Sequence, residues 1–289
     1  MRPFVITSDS TVDLPKEFYE QNEIPILSLN YILDGETYAD MDGLSCKDFM
    51  DKLRGGAMPT TSQVNPEQAR DFFEDILKSG KDILHIAFTS GLSGTYNSER
   101  IAAEELKEEY PDAQILVIDS LCASMGQGLL LYKLIELRNA GKSMEEIAAW
   151  AEANKGHVCH NVTIDDLFHL YRGGRVSKTS AVVGSLINIK PIIHVNKEGK
   201  LVVIGKVRGR KKSLLQLVDR MEKQMVGFEN DVVMIVHGDV PEDAELVRKQ
   251  VEERFGIKNV IINGIGSVIG SHTGPGVVAL FYMGNEAEN

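Results

Sequence analysis

The first half of the chain alternates short apolar runs with helix-forming segments, and this alternation restricts the fold more than any other feature. Short apolar runs predict buried strands that begin at Phe4, Ile83 and Gln114. Helical segments follow each run, with starts marked by Asn65-Pro66 and by Ser143 with Glu146. Parallel strands need helical crossovers of this kind, so the pattern predicts an α/β fold with a parallel sheet covered on both faces.

Hydroxyl-rich loops follow three of these strands, at 8–11, 90–94 and 120–124. Ligands of parallel sheets bind beyond the carboxyl ends of the strands, so we expect the three loops to meet at one edge. The polar loop Thr60–Gln63 joins them if it folds over the same edge. The 90–94 loop runs into a helix, whose N-terminal N–H groups and Ser93 hydroxyl suit an anion. The alternative is that its hydroxyls only cap the helix.

The pattern changes near Gly156. A hairpin is predicted over 192–207 with its turn at Asn196–Gly199, and strands are expected at 232–236, 260–263 and 277–283. Helices are expected at 164–171, 181–186, 211–224 and 242–255, whereas the glycine-rich segment 264–276 is left without an element. We therefore predict two domains, a parallel-sheet α/β domain over 1–155 with the anion-binding loops and an α+β domain over 156–289.

Composition describes a water-soluble globular chain. Of 289 residues, 43% are hydrophobic and 25% charged, and no apolar run reaches the ~18 residues of a membrane span. The chain opens directly on a strand pattern, so no signal peptide is expected. Three cysteines in no recognisable pattern favour reduced thiols. These features together predict a cytoplasmic protein.

Charge is distributed unevenly along the chain. The total is −11, which argues against nucleic-acid binding, but residues 156–212 carry 11 basic and only 3 acidic side chains. A basic face on an acidic protein suits an acidic partner or a phosphate, although a solvated surface explains it as well. A DNA-binding regulator is the weaker hypothesis for the same segment, because the total charge of the chain is negative.

Two chemical alternatives arise from single residues. Gly91-Leu92-Ser93-Gly94 approaches the G-x-S-x-G turn of hydrolases, but its second glycine is one place early. A serine hydrolase using Ser93 with His272 as base is thus the enzymatic alternative.

His157, Cys159 and His160 suggest a metal, yet strand alternation places 159 and 160 on opposite faces, so no metal site is predicted.

Five segments, taken together, resemble the DegV family of bacterial fatty-acid-binding proteins. They are Thr7–Pro15, Thr61-Ser62-Gln63, Thr89–Tyr96, and Arg172-Gly173-Gly174-Arg175 with Ser271–Gly276. They occur in the family's order and cover nearly the whole chain. The resemblance implies a non-catalytic carrier with one long-chain fatty acid between two domains. It also implies a partner, a separate fatty-acid kinase that makes the acyl phosphate for phospholipid synthesis.

The resemblance also assigns residues. It implies that Thr61 and Ser93 hold the carboxylate, with Ser62 and Gly94 in the same loops and His272 nearby. It implies no cofactor or metal besides the bound fatty acid, and no contact with membranes beyond a transient one. Kinase docking is expected on the basic segment, at Arg172, Arg175, Lys178, Arg208 and Arg210. Arg172 and Arg175 are expected to lie outside the acyl tunnel, so that reversing their charge leaves fatty-acid binding intact.

Elementary energetics agree with such a ligand. A carboxylate needs a few hydrogen-bond donors at one point, which hydroxyls and N–H groups provide without a buried unpaired cation. Burying ~14 methylenes at ~0.8 kcal/mol each contributes about 11 kcal/mol before ordering costs. The sequence alone does not locate an acyl tunnel, because apolar strands and helices also form ordinary core.

Overall fold

The computed structural model describes residues 2–165, 167–176 and 188–285. The predicted helix at 181–186 and the predicted docking residue Lys178 lie outside these ranges. The described residues form thirteen strands: β1 Phe4–Asp9, β2 Ile26–Leu27, β3 Asn30–Leu33, β4 Glu36–Ala39, β5 Thr60–Ser62, β6 Asp82–Ala87, β7 Ile115–Asp119, β8 Val158–Thr163, β9 Ile189–Val195, β10 Leu201–Arg208, β11 Val233–His237, β12 Val260–Gly264 and β13 Val278–Met283.

Ten α-helices complete the described fold. They are α1 Lys16–Gln21, α2 Cys46–Arg54, α3 Pro66–Lys78, α4 Thr95–Glu109, α5 Met125–Asn139, α6 Met144–Asn154, α7 Phe168–Arg172, α8 Arg210–Gln224, α9 Pro241–Phe255 and α10 Ser267–Thr273. Asn65 is the predicted N-cap of α3 and also forms a capping box with Gln68, and the predicted capping box of Ser143 and Glu146 is formed at α6. None of the helices within the described ranges has both the length and the apolar character needed to cross a membrane.

Three sheets organise these elements. The first is fully parallel, in the order β2-β1-β6-β7, which confirms the sheet predicted from the alternation of strands and helices. A mixed sheet of six strands has the order β10-β9-β8-β13-β11-β12, and its antiparallel β9–β10 pair is the predicted hairpin. A small antiparallel sheet, β4-β3-β5, completes the set. The division at residue 155 into two domains stays a prediction.

Two expectations about local structure are wrong. Thr60–Ser62 forms strand β5, paired with β3, instead of a loop. Its β-branched residues suit a strand, and the partner strand is distant in the sequence, so no local signal shows the pairing. The glycine-rich segment contains helix α10, although glycine disfavours helices. Tertiary contacts, described below, compensate for that low propensity.

Helix α5 lies between the parallel sheet and the six-stranded sheet and contacts both. Its buried residues occupy every side of the helix, as expected for an element enclosed in a core. The fully buried Gln127 donates hydrogen bonds to Ser8 Oγ (3.1 Å) and to the carbonyl of Ile86 (3.1 Å). It therefore links the helix to the carboxyl ends of β1 and β6.

A buried polar chain joins the parallel sheet to α4. Thr7 Oγ1 lies 2.8 Å from His85 Nδ1, and His85 Nε2 lies 3.1 Å from a carboxylate oxygen of Glu99. All three side chains are fully buried. Burial raises the pKa of Glu99 to about 7, and the adjacent His85 opposes part of that rise.

We expect Glu99→Gln to stabilise the protein increasingly as the pH rises from about 5 to about 8. A carboxyl with a raised folded-state pKa contributes stability at low pH, and that stability is lost as the pH rises through the folded pKa. Glutamine keeps the shape and does not ionise. Chemical denaturation of both proteins across this range measures the difference. Glu104→Gln on the exposed side of the same helix should show no such trend, and equal pH profiles for wild type and Glu99→Gln would contradict the assignment.

Candidate functional site

An elongated cavity lies between the two large sheets and encloses, with its mouth, about 850 Å³ of empty space. Most of its lining side chains are apolar. The loops after β6 and β7 contribute Phe88, Leu92, Ser93 and Ala123, and the inner face of the six-stranded sheet forms the opposite wall. The prediction that the loops following β6 and β7 meet at one edge of the parallel sheet is thus confirmed. The loop after β1 reaches the same edge, because Asp9 Oδ2 accepts the Phe88 N–H at 2.6 Å.

Several polar side chains interrupt this apolar lining, and four of them are among the residues predicted to hold the ligand. We call this set, Thr61, Ser62, Ser93 and His272, the polar end. Thr61 Oγ1 lies 2.8 Å from His272 Nε2, joining strand β5 to helix α10 across 211 positions of sequence. The structure thus brings four of the five predicted ligand residues to one cavity.

Ser93 is held by the start of helix α4. Its Oγ accepts the Thr95 N–H at 3.2 Å and lies 3.0 Å from Thr95 Oγ1. Thr95 Oγ1 in turn accepts the Val64 N–H at 3.3 Å, so Thr95 is positioned to donate its own proton to Ser93. When Thr95 is the donor, both protein contacts fill acceptor positions of Ser93, which leaves the Ser93 hydroxyl proton for a ligand.

Gly94, the fifth predicted ligand residue, does not line the cavity. A Cβ at this position would lie 2.3 Å from Gln63 Oε1. Gln63 does line the cavity, so the glycine acts through close packing.

Helix α10, which carries His272, is capped by carboxylates from the first forty residues. Asp13 accepts the Gly266 N–H and Asp40 accepts the Val268 N–H, both at 2.9 Å. These bonds satisfy the first N–H groups of the helix and compensate for its glycine content. Burial raises the pKa of Asp13 well above its usual range and that of Asp40 to about 6.

His272 itself is neutral at physiological pH. Burial lowers its pKa to about 4, and the nearby cations Arg175 and Arg172 contribute to the shift. Its Nδ1 faces the backbone of Gly173, where a Cβ would lie only 2.1 Å away. A neutral imidazole can donate one hydrogen bond from Nε2 to Thr61.

Arg172 and Arg175 make backbone contacts that the sequence did not predict. Arg175 lines the cavity, donates from Nε to the Leu92 carbonyl at 3.3 Å and from Nη1 to the Gly173 carbonyl. Its partial burial lowers its pKa. Arg172 donates to the carbonyls of Pro59 (2.9 Å) and Ser271 (3.3 Å), so it ties β5 to α10. The expectation of a position outside the cavity is wrong for Arg175. Arg172 does not line the cavity, but its two hydrogen bonds make it a support of β5 and α10, so its charge cannot be reversed without loss of these contacts.

The remaining basic residues separate into two groups. Arg210 is half-buried and pairs with Asp243 at 2.7 Å and with the Gly276 carbonyl at 2.6 Å. Lys206 and Arg208 are exposed on β10, the edge strand of the six-stranded sheet, and Lys211 and Lys212 are exposed on the first turn of α8. We call these four residues the basic edge.

The alternative chemistries receive no support from the geometry. His272 Nε2 is engaged by Thr61 and Ser93 by Thr95, so among the described residues the bond between nucleophile and base is not made. Cys159 packs in the core beneath α8, whereas His160 faces the cavity, as the alternation predicted. Asp9, His85 and Glu99 place ligand atoms within 4.8 Å of one another, but both Asp9 oxygens and His85 Nδ1 already have hydrogen-bond partners. We assign no metal to them.

Sequence reasoning missed several lining residues. Gln63, Arg175 and His160 were not recognised as parts of the cavity. The alternation of His160, Val162 and Ile164 along β8 was a usable signal, because residues two apart share one face of a strand. Thr95 was visible as a hydroxyl, but its contact with Ser93 depends on the turn into α4.

The fold and the cavity define an α/β protein with a mostly apolar cavity that several polar side chains interrupt. The DegV family model matches residues 3–285, and the chain belongs to the DegV family. A DegV domain-containing protein of Clostridium perfringens is 46% identical over 290 residues, covering all of both chains. One from Streptococcus pyogenes is 36% identical and covers 98% of this chain and 99% of its own.

Solved structures of similar proteins bind fatty acids. A fatty-acid-binding DegV family protein from Thermus thermophilus has a TM-score of 0.87 at 28% identity, covering 98% of this chain and 100% of its own. A stearic-acid-binding protein from Eubacterium ventriosum also has a TM-score of 0.87 at 28% identity, covering 97% and 98%. DegV of Bacillus subtilis, a fatty-acid-binding protein, has 0.84 at 29%, covering 99% and 100%.

Proposed function

We propose that this protein binds one long-chain fatty acid, with its carboxylate at the polar end and its acyl chain in the apolar cavity. It presents the carboxylate to a separate fatty-acid kinase, which forms the acyl phosphate used in phospholipid synthesis. The protein itself is a cytoplasmic carrier, and catalysis lies with the kinase. The observation that carries the proposal is a mostly apolar cavity whose lining includes the hydroxyls of Thr61 and Ser93.

The hydroxyls of the polar end suit a carboxylate. A neutral His272 that donates from Nε2 to Thr61 Oγ1 leaves the threonine proton free for the ligand. When Thr95 Oγ1 donates to Ser93 Oγ, Ser93 likewise keeps its proton for the ligand. Two hydroxyls with outward protons give charge-assisted hydrogen bonds to one anion. Arg175 adds a positive charge at the cavity lining.

The apolar lining suits an unbranched acyl chain. At ~0.8 kcal/mol per buried methylene, the tail supplies most of the binding free energy and the polar end mainly fixes orientation. A ligand so deeply buried leaves slowly, which supports a partner that acts on the bound molecule. The basic edge gives an acidic kinase surface a place to dock.

The test of the ligand is mass spectrometry of the intact protein and of its lipid extract after purification from a bacterial host. We expect one saturated or monounsaturated fatty acid per chain, of roughly sixteen to eighteen carbons, a length consistent with the burial energy above. Ala279→Phe fills the cavity from β13 and should remove the ligand. Val226→Phe, at an exposed position, is the matched control and should retain it. An empty wild-type chain, or a polar metabolite in its place, contradicts the proposal.

A further inference from the structure

The inner wall of the cavity runs along two adjacent strands. His160 and Val162 line it from β8, followed by Ile164 directly after that strand. Ala279 and Phe281 line it from β13, preceded by Val277 directly before that strand. In the register of these strands, Val162 pairs with Ala279 and His160 with Phe281. Val277 comes shortly after helix α10, which carries His272, so it lies towards the polar end. Because Val278 pairs with Thr163, Ile164 lies beside Val277. His160 is roughly 13 Å farther along β8, and we call this part of the cavity its inner end.

A second cavity lies beyond His160. Together with its opening to solvent it has about 700 Å³ of empty space, and its lining includes the polar residues Lys155, His157, Asn196 and Lys197. The two cavities share two lining residues, His160 and Val195. These side chains form the wall that separates the apolar chamber from the polar one.

The His160 ring is fixed in that wall. Its Nε2 accepts the Ala123 N–H at 3.1 Å, and its Nδ1 lies 2.9 Å from the Val158 carbonyl. The tautomer protonated at Nδ1 satisfies both contacts. Phe281 packs against the ring edge-on, with centroids 5.3 Å apart. A Cβ at Gly126 would lie 2.1 Å from Nε2, so helix α5 approaches the ring as closely as glycine allows.

We propose that His160 determines the maximum length of the acyl chain, because its fixed ring closes the inner end of the cavity. The inference rests on the proposed fatty-acid binding and adds the residue that sets length specificity. A chain that fits ends against the imidazole and Phe281. A longer chain has to displace the ring, which breaks the contacts to Ala123 and Val158, or has to leave methylenes outside the polar end.

The test compares the binding of palmitic, stearic, arachidic and behenic acids to wild type and His160→Ala. Removing the ring joins the two cavities, so the variant should gain affinity for the longer acids relative to palmitic acid. Full apolar burial of one methylene is worth roughly four-fold, and because the second cavity is partly polar we expect a smaller gain, of about two-fold or more for each pair of methylenes that it admits. The fatty acids that copurify with the variant should shift to longer chains.

Two further variants separate length control from a structural role. His160→Phe removes the hydrogen bonds but keeps the obstruction, so its length profile should match wild type. Val195→Ala opens the same wall from β9 and should shift the profile in the direction of His160→Ala, even if the latter folds poorly. If wild type binds these acids and both opening variants keep its profile, the length assignment is wrong. If wild type binds none of them, the proposed function fails instead.

Discussion

Alanine at Thr61 or at Ser93 is expected to weaken fatty-acid binding by roughly ten- to one-hundred-fold in each single variant. Each change removes one charge-assisted hydrogen bond of about 1.5–3 kcal/mol, while the contacts of the acyl chain remain. The fold-loss of affinity in the double variant should be smaller than the product of the two single fold-losses, because both hydroxyls bind one carboxylate. Titration with a fluorescent fatty acid and competition with palmitic acid measure these constants.

Matched controls lie beside each residue. Thr60→Ala, exposed on the same strand as Thr61, and Ser90→Ala, exposed in the same loop as Ser93, should bind as wild type does. The corresponding fatty alcohol should bind wild type and both variants with much smaller differences, because it lacks the anion. Unchanged palmitate affinity in both single variants would place the carboxylate elsewhere in the cavity.

Charge reversal on the basic edge should have an even larger effect on the kinase reaction. We expect Lys206→Glu with Arg208→Glu to reduce acyl-phosphate formation by roughly ten- to one-thousand-fold at low salt and to leave fatty-acid affinity unchanged. Charge steering acts on the association rate, so the loss of acyl-phosphate formation should become smaller as added salt screens the charges. Acyl-phosphate production at limiting carrier, measured across ionic strengths with a fatty-acid kinase, gives the result.

The control for that experiment is an equal change of charge on another surface. Lys78→Glu with Lys107→Glu, on exposed positions of α3 and α4, alters net charge by the same amount. It should leave the reaction near the wild-type rate. If both double variants lost the same acyl-phosphate formation, the net charge of the carrier would govern its association with the kinase, and the basic edge would not be a specific docking site. Arg172 and Arg175 are unsuitable for the test, since their bonds to Pro59, Ser271 and Leu92 support the site itself.

The parallel sheet could be predicted because its signals are local. Buried strands followed by helices identify the sheet, and the rule that ligands bind at carboxyl strand ends then groups the loops containing Ser93 and Ser120. The hydroxyls of Thr61 and Ser93 could be named from the family resemblance. Their meeting at one cavity agrees with that assignment, and their roles in binding stay a proposal.

The remaining parts of the site depend on contacts between distant segments. Strand β5 exists because Thr61 pairs with Tyr31, and helix α10 persists because Asp13 and Asp40 cap it. The residue pattern within either segment does not predict which distant residues it contacts. Arg175 was assigned to a docking surface because charge in a sequence suggests exposure, whereas its backbone contacts draw it to the cavity.

The position of β13 has a consequence for the order of events when the chain is made. This strand ends at Met283 yet lies inside the six-stranded sheet, between β8 and β11. Until it is synthesised, β8 and β11 have no common partner, and the cavity lacks the wall made by Val277, Ala279 and Phe281. Elements that depend on such distant pairing form late and slowly. A chain that has been synthesised only as far as β12 therefore lacks one wall of the cavity, and the cavity is completed only when β13 has paired with β8 and β11.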